Sequence, residues 1–201
     1  TDATGTVTLP ESLVPGTYYV RETSAKEPYL VGEEIEVNIP ADMNLTPVAI
    51  ASCYDHAATG NIRIVKTDAV DGSSLAGAVF EIRASGDIVR PDGSIAALDG
   101  ETVATVTTDE TGEARADDLP LGSGTARYEV VETQAPAGFL LDRTTHIVDL
   151  TYADQKTPVV EARLNVSDDY TKVDISKVDA SGEQEVEGAQ LTLYGPDKTE
   201  I

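Results

Sequence analysis

YEVVETQAPAGF at residues 128–139 repeats, about 110 residues on, the YYVRETSAKEPY of residues 18–29. The later copy opens with alternating apolar and polar residues, the period of two that a half-buried strand requires. The repetition extends outward from this box. TDATG at 1–5 returns as TDETG at 108–112, and IRIVKTDA at 62–69 returns as VDISKVDA at 173–180. A spacing that holds across three separated segments predicts a tandem array of one domain type, met out of phase. Residues 1–59 read as the C-terminal part of a first module, 60–168 as a complete module and 169–201 as the N-terminal part of a third.

The complete module shows the same alternation in other runs: Ile62 to Lys66, Val79 to Ile82, Thr102 to Val106, His146 to Leu150 and Val159 to Val166. Turn residues separate them, as in Val70-Asp71-Gly72-Ser73 and Pro91-Asp92-Gly93. No helical stripe of ten residues occurs. The expectation is an all-β fold, with about seven short strands per module in an Ig-like two-sheet β-sandwich.

Composition narrows the function classes. With 36 acidic and 14 basic residues the formal charge is −22, so phosphate backbones and anionic lipid surfaces repel the chain. Neither nucleic acid nor a membrane is an expected partner of this segment. Trp is absent and Tyr outnumbers Phe eight to two, which suits several modest cores rather than one large one. A single cysteine excludes an internal disulfide, and Cys53 reads as a small core residue. His56 and His146 have no Cys or His at ligand spacing, so no metal and no cofactor is implied. No run of 18 apolar residues, secretion signal or lipidation motif occurs within the segment.

Strand parity then singles out three charged residues. Ile62 and Ile64 share a face with Lys66; Tyr128 and Val130 share one with Glu132; Ala162, Leu164 and Val166 share one with Asp168, while Arg163 and Asn165 face away. Three ionisable groups thus converge on one core, where an unpaired charge costs several kcal/mol. An ordinary buried ion-pair network is one answer. The other is covalent. Burial favours a neutral amine beside protonated acids, a neutral amine is a nucleophile, and a protonated Glu can polarise a neighbouring carboxyl. Held proximity would then drive formation of an amide between Lys66 and Asp168, with loss of water.

The lysine-bearing strand followed by LAGAVFEI at 75–82, with TDETG at 108–112, LPLG at 119–122 and YEVVETQAPAGF, resembles the collagen-adhesin B-type, or SpaA-type, repeats of Gram-positive surface proteins and pilins. The resemblance implies a prealbumin-like sandwich with an intramolecular isopeptide bond: Lys66 as donor, Glu132 as catalyst and Asp168 as acceptor. The family's acceptor is often Asn, which leaves Asn165 as a rival to Asp168, although parity favours Asp168. In the first module Glu22 matches the catalyst and Asp55 the acceptor, with the lysine expected before Thr1. In the third, Lys177 shares a face with Val173 and Ile175 and precedes VEGAQLTL at 186–193, with its catalyst and acceptor expected beyond Ile201.

The implied function is structural. A bond from first strand to last closes a loop of about 100 residues, worth about 4–5 kcal/mol by analogy with a disulfide, and it carries a load applied to the chain ends. The expectation is a stalk or shaft repeat of an extracellular, wall-anchored adhesin or pilin. Its expected partners are neighbouring modules, other pilin subunits or host extracellular matrix. It is not a turnover enzyme. The alternative is an adhesive module that binds a host extracellular protein directly, which needs an exposed apolar or aromatic patch.

Overall fold

The alternating runs become strands because each has one face to bury, and two sheets bury those faces against each other. A computed structural model describes residues 2, 5–8, 13–41, 51–172, 175–182, 187–194 and 198–199. The chain divides into two compact units, Thr1–Asp169 and Tyr170–Ile201. The first contains β1 (Gly16–Val20), β2 (Ile35–Ile39), β3 (Thr59–Asp68), β4 (Val79–Ala84), β5 (Ile88–Val89), β6 (Ile95–Ala97), β7 (Thr102–Thr107), β8 (Glu113–Pro120), β9 (Thr125–Gln134), β10 (Thr145–Thr151) and β11 (Val159–Asp168). Among the described residues there is no helix.

Residues 59–168 build the sandwich. One sheet has the order β10-β9-β4-β7 and the other β11-β3-β8. Seven strands face each other across the core, the number expected, with β5 and β6 forming a small separate hairpin. Strands β3 and β11 run parallel over their full lengths, from Thr59 opposite Val159 to Asp68 opposite Asp168. Inward positions are apolar: Ile62 and Ile64 on β3, Phe80 and Ile82 on β4, Tyr128 and Val130 on β9, and Leu150 on β10 are all buried. Each contributes about 1.5–3 kcal/mol by leaving water.

Strand β8 is absent from the expected runs. Its inward residues are Ala114, Ala116 and Leu119, and the small alanines give a weak periodic signal. Asp117-Asp118 also breaks the alternation. Asp118 adopts φ 56°, its N–H donates to Asn61 Oδ1 at 3.2 Å, and the register slips between Gly60 and Ile62 at this bulge. Cys53 likewise departs from expectation, being exposed rather than in the core. It lies among the described residues 51–56, none of which is in a strand, and its neighbour Tyr54 is 81% exposed.

Part of the acidic excess works in turns. Asp71, Asp92, Asp109 and Asp154 each accept a hydrogen bond from the backbone N–H two residues on. The hydroxyls of Ser94 and Thr111, which donate to Asp92 and Asp109, together with these backbone bonds hold the four carboxyls below the usual range.

The sequence repeat recurs in hydrogen bonding. Gly5 N donates to Asp2 O and Thr6 N to Asp2 Oδ1, as Gly112 N does to Asp109 O and Glu113 N to Asp109 Oδ1. Tyr29 N donates to Lys26 O as Phe139 N does to Pro136 O. The β1–β2 hairpin stands where the β9–β10 hairpin stands one repeat later. Of residues 1–58, Ala58 belongs to the sandwich core and Leu30 packs at its margin. Gln155 fastens the two repeats together: its Nε2 donates to Ala25 O at 2.8 Å, and its backbone O accepts from Val31 N at 3.1 Å. Tyr152 adds a hydroxyl bond to Tyr29 O at 3.2 Å.

In the second unit no described residue lies in a strand. Its turn pairs Gly182 N with Asp179 O, the bond made by Gly112 and Asp109. Val173 and Val186, named in the expected third module, lie outside the described residues.

Candidate functional site

Lys66 lies near the end of β3, two residues beyond Ile64, and alternation turns it inward. Its backbone is fixed on both sides: Lys66 N donates to Gly112 O at 2.8 Å, and Lys66 O accepts from Leu75 N at 3.0 Å. The side chain is fully buried. Its ammonium nitrogen lies 5.6 Å from the centre of the Phe80 ring, within cation–π range.

Two carboxyls meet that nitrogen. Asp168 comes from β11 in the same sheet, two positions past Val166, which is the register partner of Lys66. The Lys66 Nζ donates to Asp168 Oδ1. Glu132 comes from β9 in the facing sheet, with Oε1 3.0 Å from Lys66 Nζ. The Lys66, Glu132 and Asp168 side chains are at most 1% exposed. The structure therefore brings together all three residues singled out by parity. Asn165 is elsewhere, exposed and accepting a hydrogen bond from Arg163 Nε at 3.1 Å.

Charge balance explains the chemistry available. One ammonium against two carboxylates would leave a net negative charge in a dry site, which favours a proton on one carboxyl. Burial raises the Glu132 carboxyl above its usual range, opposed by the Asp142 N–H and by Lys66, and reinforced by Asp168. Glu132 Oε1 and Asp168 Oδ2 are buried without a hydrogen-bond partner.

The first repeat keeps half of this arrangement. Glu22 Oε2 accepts from Gly32 N at 2.7 Å, and Glu132 Oε2 accepts from Asp142 N at 2.7 Å, the same bond one repeat later. Asp55 is raised, first by desolvation and then by Glu22, with which it shares a hydrogen bond. Lys177 in the second unit is exposed, with Nζ 3.4 Å from Val178 O.

Sequence reasoning did not find Phe80 beneath the lysine or the Asp142 N–H on the glutamate. A backbone donor has no residue identity to read. The Asp142-x-Thr144 turn, in which Thr144 N donates to Asp142 Oδ1 at 2.8 Å, was the available signal. Among the described residues no cluster of three His, Cys, Asp or Glu side chains is arranged to hold a metal ion.

Solved structures with a similar chain path include the pilus 2b backbone protein of group B streptococcus, at 20% identity over 75% of this chain and 52% of that chain, with a TM-score of 0.44. The shaft pilin of Lactobacillus rhamnosus GG matches at 17% identity over 78% of this chain and 65% of that chain, with a TM-score of 0.43. The full-length major pilin of Corynebacterium diphtheriae matches at 25% identity over 57% and 30% of the two chains, with a TM-score of 0.39. The chain spans about half the length of the first of these. Among curated proteins no sequence match is found. The family model of the SpaA prealbumin-like fold domain matches residues 1–51 and 60–164, two stretches that together cover more than half of the chain. With its sandwich of seven facing strands, the chain belongs to the SpaA prealbumin-like fold family.

Proposed function

We propose that this chain is a stretch of tandem shaft modules from an extracellular pilin or adhesin of a Gram-positive bacterium, and that the module of residues 60–168 closes itself with a Lys66–Asp168 isopeptide bond. The observation that carries the reading is the buried Lys66 nitrogen set between Asp168 and Glu132. The reaction balances without a cofactor. A proton passes from the Lys66 ammonium to the Asp168 carboxylate, giving amine and acid. The amine nitrogen attacks Asp168 Cγ while the Glu132 proton polarises the carboxyl. The C–N bond forms, the C–O bond breaks, water leaves, and the proton shed by nitrogen restores Glu132. Glu22 and Asp55 are read as the catalyst and acceptor of the preceding module, and Lys177 as the donor of the following one.

Family membership and the repeat favour a structural role, with neighbouring modules and other pilin subunits as partners. Direct adhesion to a host protein would need a contiguous apolar patch of several hundred Å². Val89 and Ile95, exposed and paired across β5 and β6, are by themselves short of that area.

Intact mass tests the bond. The wild-type chain is expected one water lighter than its sequence, and Glu132→Ala and Lys66→Ala at full mass. A tryptic map should contain a branched peptide joining β3 to β11. A wild-type chain at full sequence mass, with Lys66 modified by an amine reagent only on unfolding, returns the three residues to an ion-pair network.

A further inference from the structure

A carboxyl group has two oxygens, and only one of them faces the reacting atoms here. Glu132 Oε2 accepts the Asp142 N–H at 2.7 Å, while Oε1 lies 3.0 Å from Lys66 Nζ. In a protonated carboxyl the carbonyl oxygen is the better acceptor and the hydroxyl oxygen carries the proton. A donor held on Oε2 therefore directs the proton to Oε1. That oxygen lies 3.0 Å from Lys66 Nζ without forming a hydrogen bond of good geometry, and Asp168 Oδ2 is likewise unpaired.

The loop that aims this N–H is itself tied down. Asp142 Oδ1 accepts from Thr144 N at 2.8 Å, and Asp142 Oδ2 lies 2.8 Å from His146 Nε2. His146 is on β10, opposite Val130 of β9, two residues before Glu132. The Asp142–His146 contact thus staples the loop to the strand that carries the glutamate. Both side chains are half-buried, at 19% and 23% exposure. Hydrogen bonds from Thr144 and His146 outweigh burial and hold the Asp142 carboxyl below its usual range. The ionised carboxylate can only accept, so the His146 Nε2 carries the hydrogen. The first repeat has the N–H without the staple: Gly32 donates to Glu22, and Glu34 and Glu36 stand where Thr144 and His146 stand one repeat later. Glu34 instead pairs with Arg21.

We propose that Asp142 and His146 are positioning residues for cross-linking, which fix the Asp142 N–H on Glu132 Oε2 and so deliver the catalytic proton from Oε1. This rests on the isopeptide reading above. The test is a time course of water loss by intact mass in the full 201-residue chain, made by cell-free synthesis. Asp142→Gly, which keeps the N–H but loses the staple, and His146→Phe are expected to slow the loss at least about tenfold. His146→Gln, which keeps a nitrogen donor, should recover to within about threefold of wild type. Unfolding midpoints in the non-reacting Lys66→Ala background separate positioning from folding: they should stay unchanged by His146→Phe. Wild-type rates in Asp142→Gly and His146→Phe would overturn the proposal while leaving the bond intact. A slowing that only tracks loss of folded protein, or no rescue by His146→Gln, would overturn it too. A wild-type chain that loses no water removes the isopeptide reading and this proposal with it.

Discussion

Lys66, Glu132 and Asp168 cannot be assigned charges one at a time, because each sets the field felt by the others at side-chain exposures of at most 1%. Their identity was legible from parity, since inward positions on three strands carried charge where apolar residues were due. The atom that holds Glu132 was not, being a main-chain N–H. A pH prediction follows for a variant that cannot cross-link. With its carboxyl raised by burial, Glu132 binds its proton more tightly folded than unfolded, so its contribution is full at low pH and is lost as pH rises past the usual carboxylate range. Measured against Lys66→Ala/Glu132→Gln, which keeps the turn carboxyls held below their usual range, the urea midpoint of Lys66→Ala should fall as pH rises from the usual carboxylate range upward. At Asn165, exposed on the far face of β11, substitution by Ala should leave the loss of one water unchanged. Loss of one ammonia from the wild type would make Asn165 the acceptor.

Elements were legible where period two was strong and invisible where it was weak. Strands β3, β4, β7, β9, β10 and β11 all fall on expected runs, while β8, with alanines inward and a bulge at Asp118, fell between them. Yet β8 begins at a turn that supports the site. Gly112 has φ 75°, and a Cβ there would lie 2.6 Å from Lys66 O and 3.0 Å from Leu75 N. Backbone cannot yield as a side-chain tip would. Gly112→Ala should therefore cost about 1–3 kcal/mol, read as a lowered unfolding midpoint in the Glu132→Ala background, where no cross-link masks it. An unchanged midpoint would show that the turn rearranges freely.

At the scale of the molecule the repeat was legible and the joint between repeats was not, because Gln155 and Tyr152 are unremarkable in sequence. Loss of the Gln155 side chain removes its bond to Ala25 O, worth about 1 kcal/mol. Gln155→Ala/Tyr152→Phe should be cut faster by protease between β2 and β3, leaving a surviving fragment from about residue 60 to about residue 169. Cleavage that begins within that fragment would count against the module assignment. The parallel pairing of β3 and β11 has a further consequence for length. With the proposed amide in place, tension entering at Thr59 crosses from Lys66 to Asp168 and leaves at once, so the 102-residue span between them never joins the taut path. At about 3.4 Å per extended residue that span stores roughly 350 Å of contour, and a fibre of such modules cannot release its slack until a covalent bond breaks.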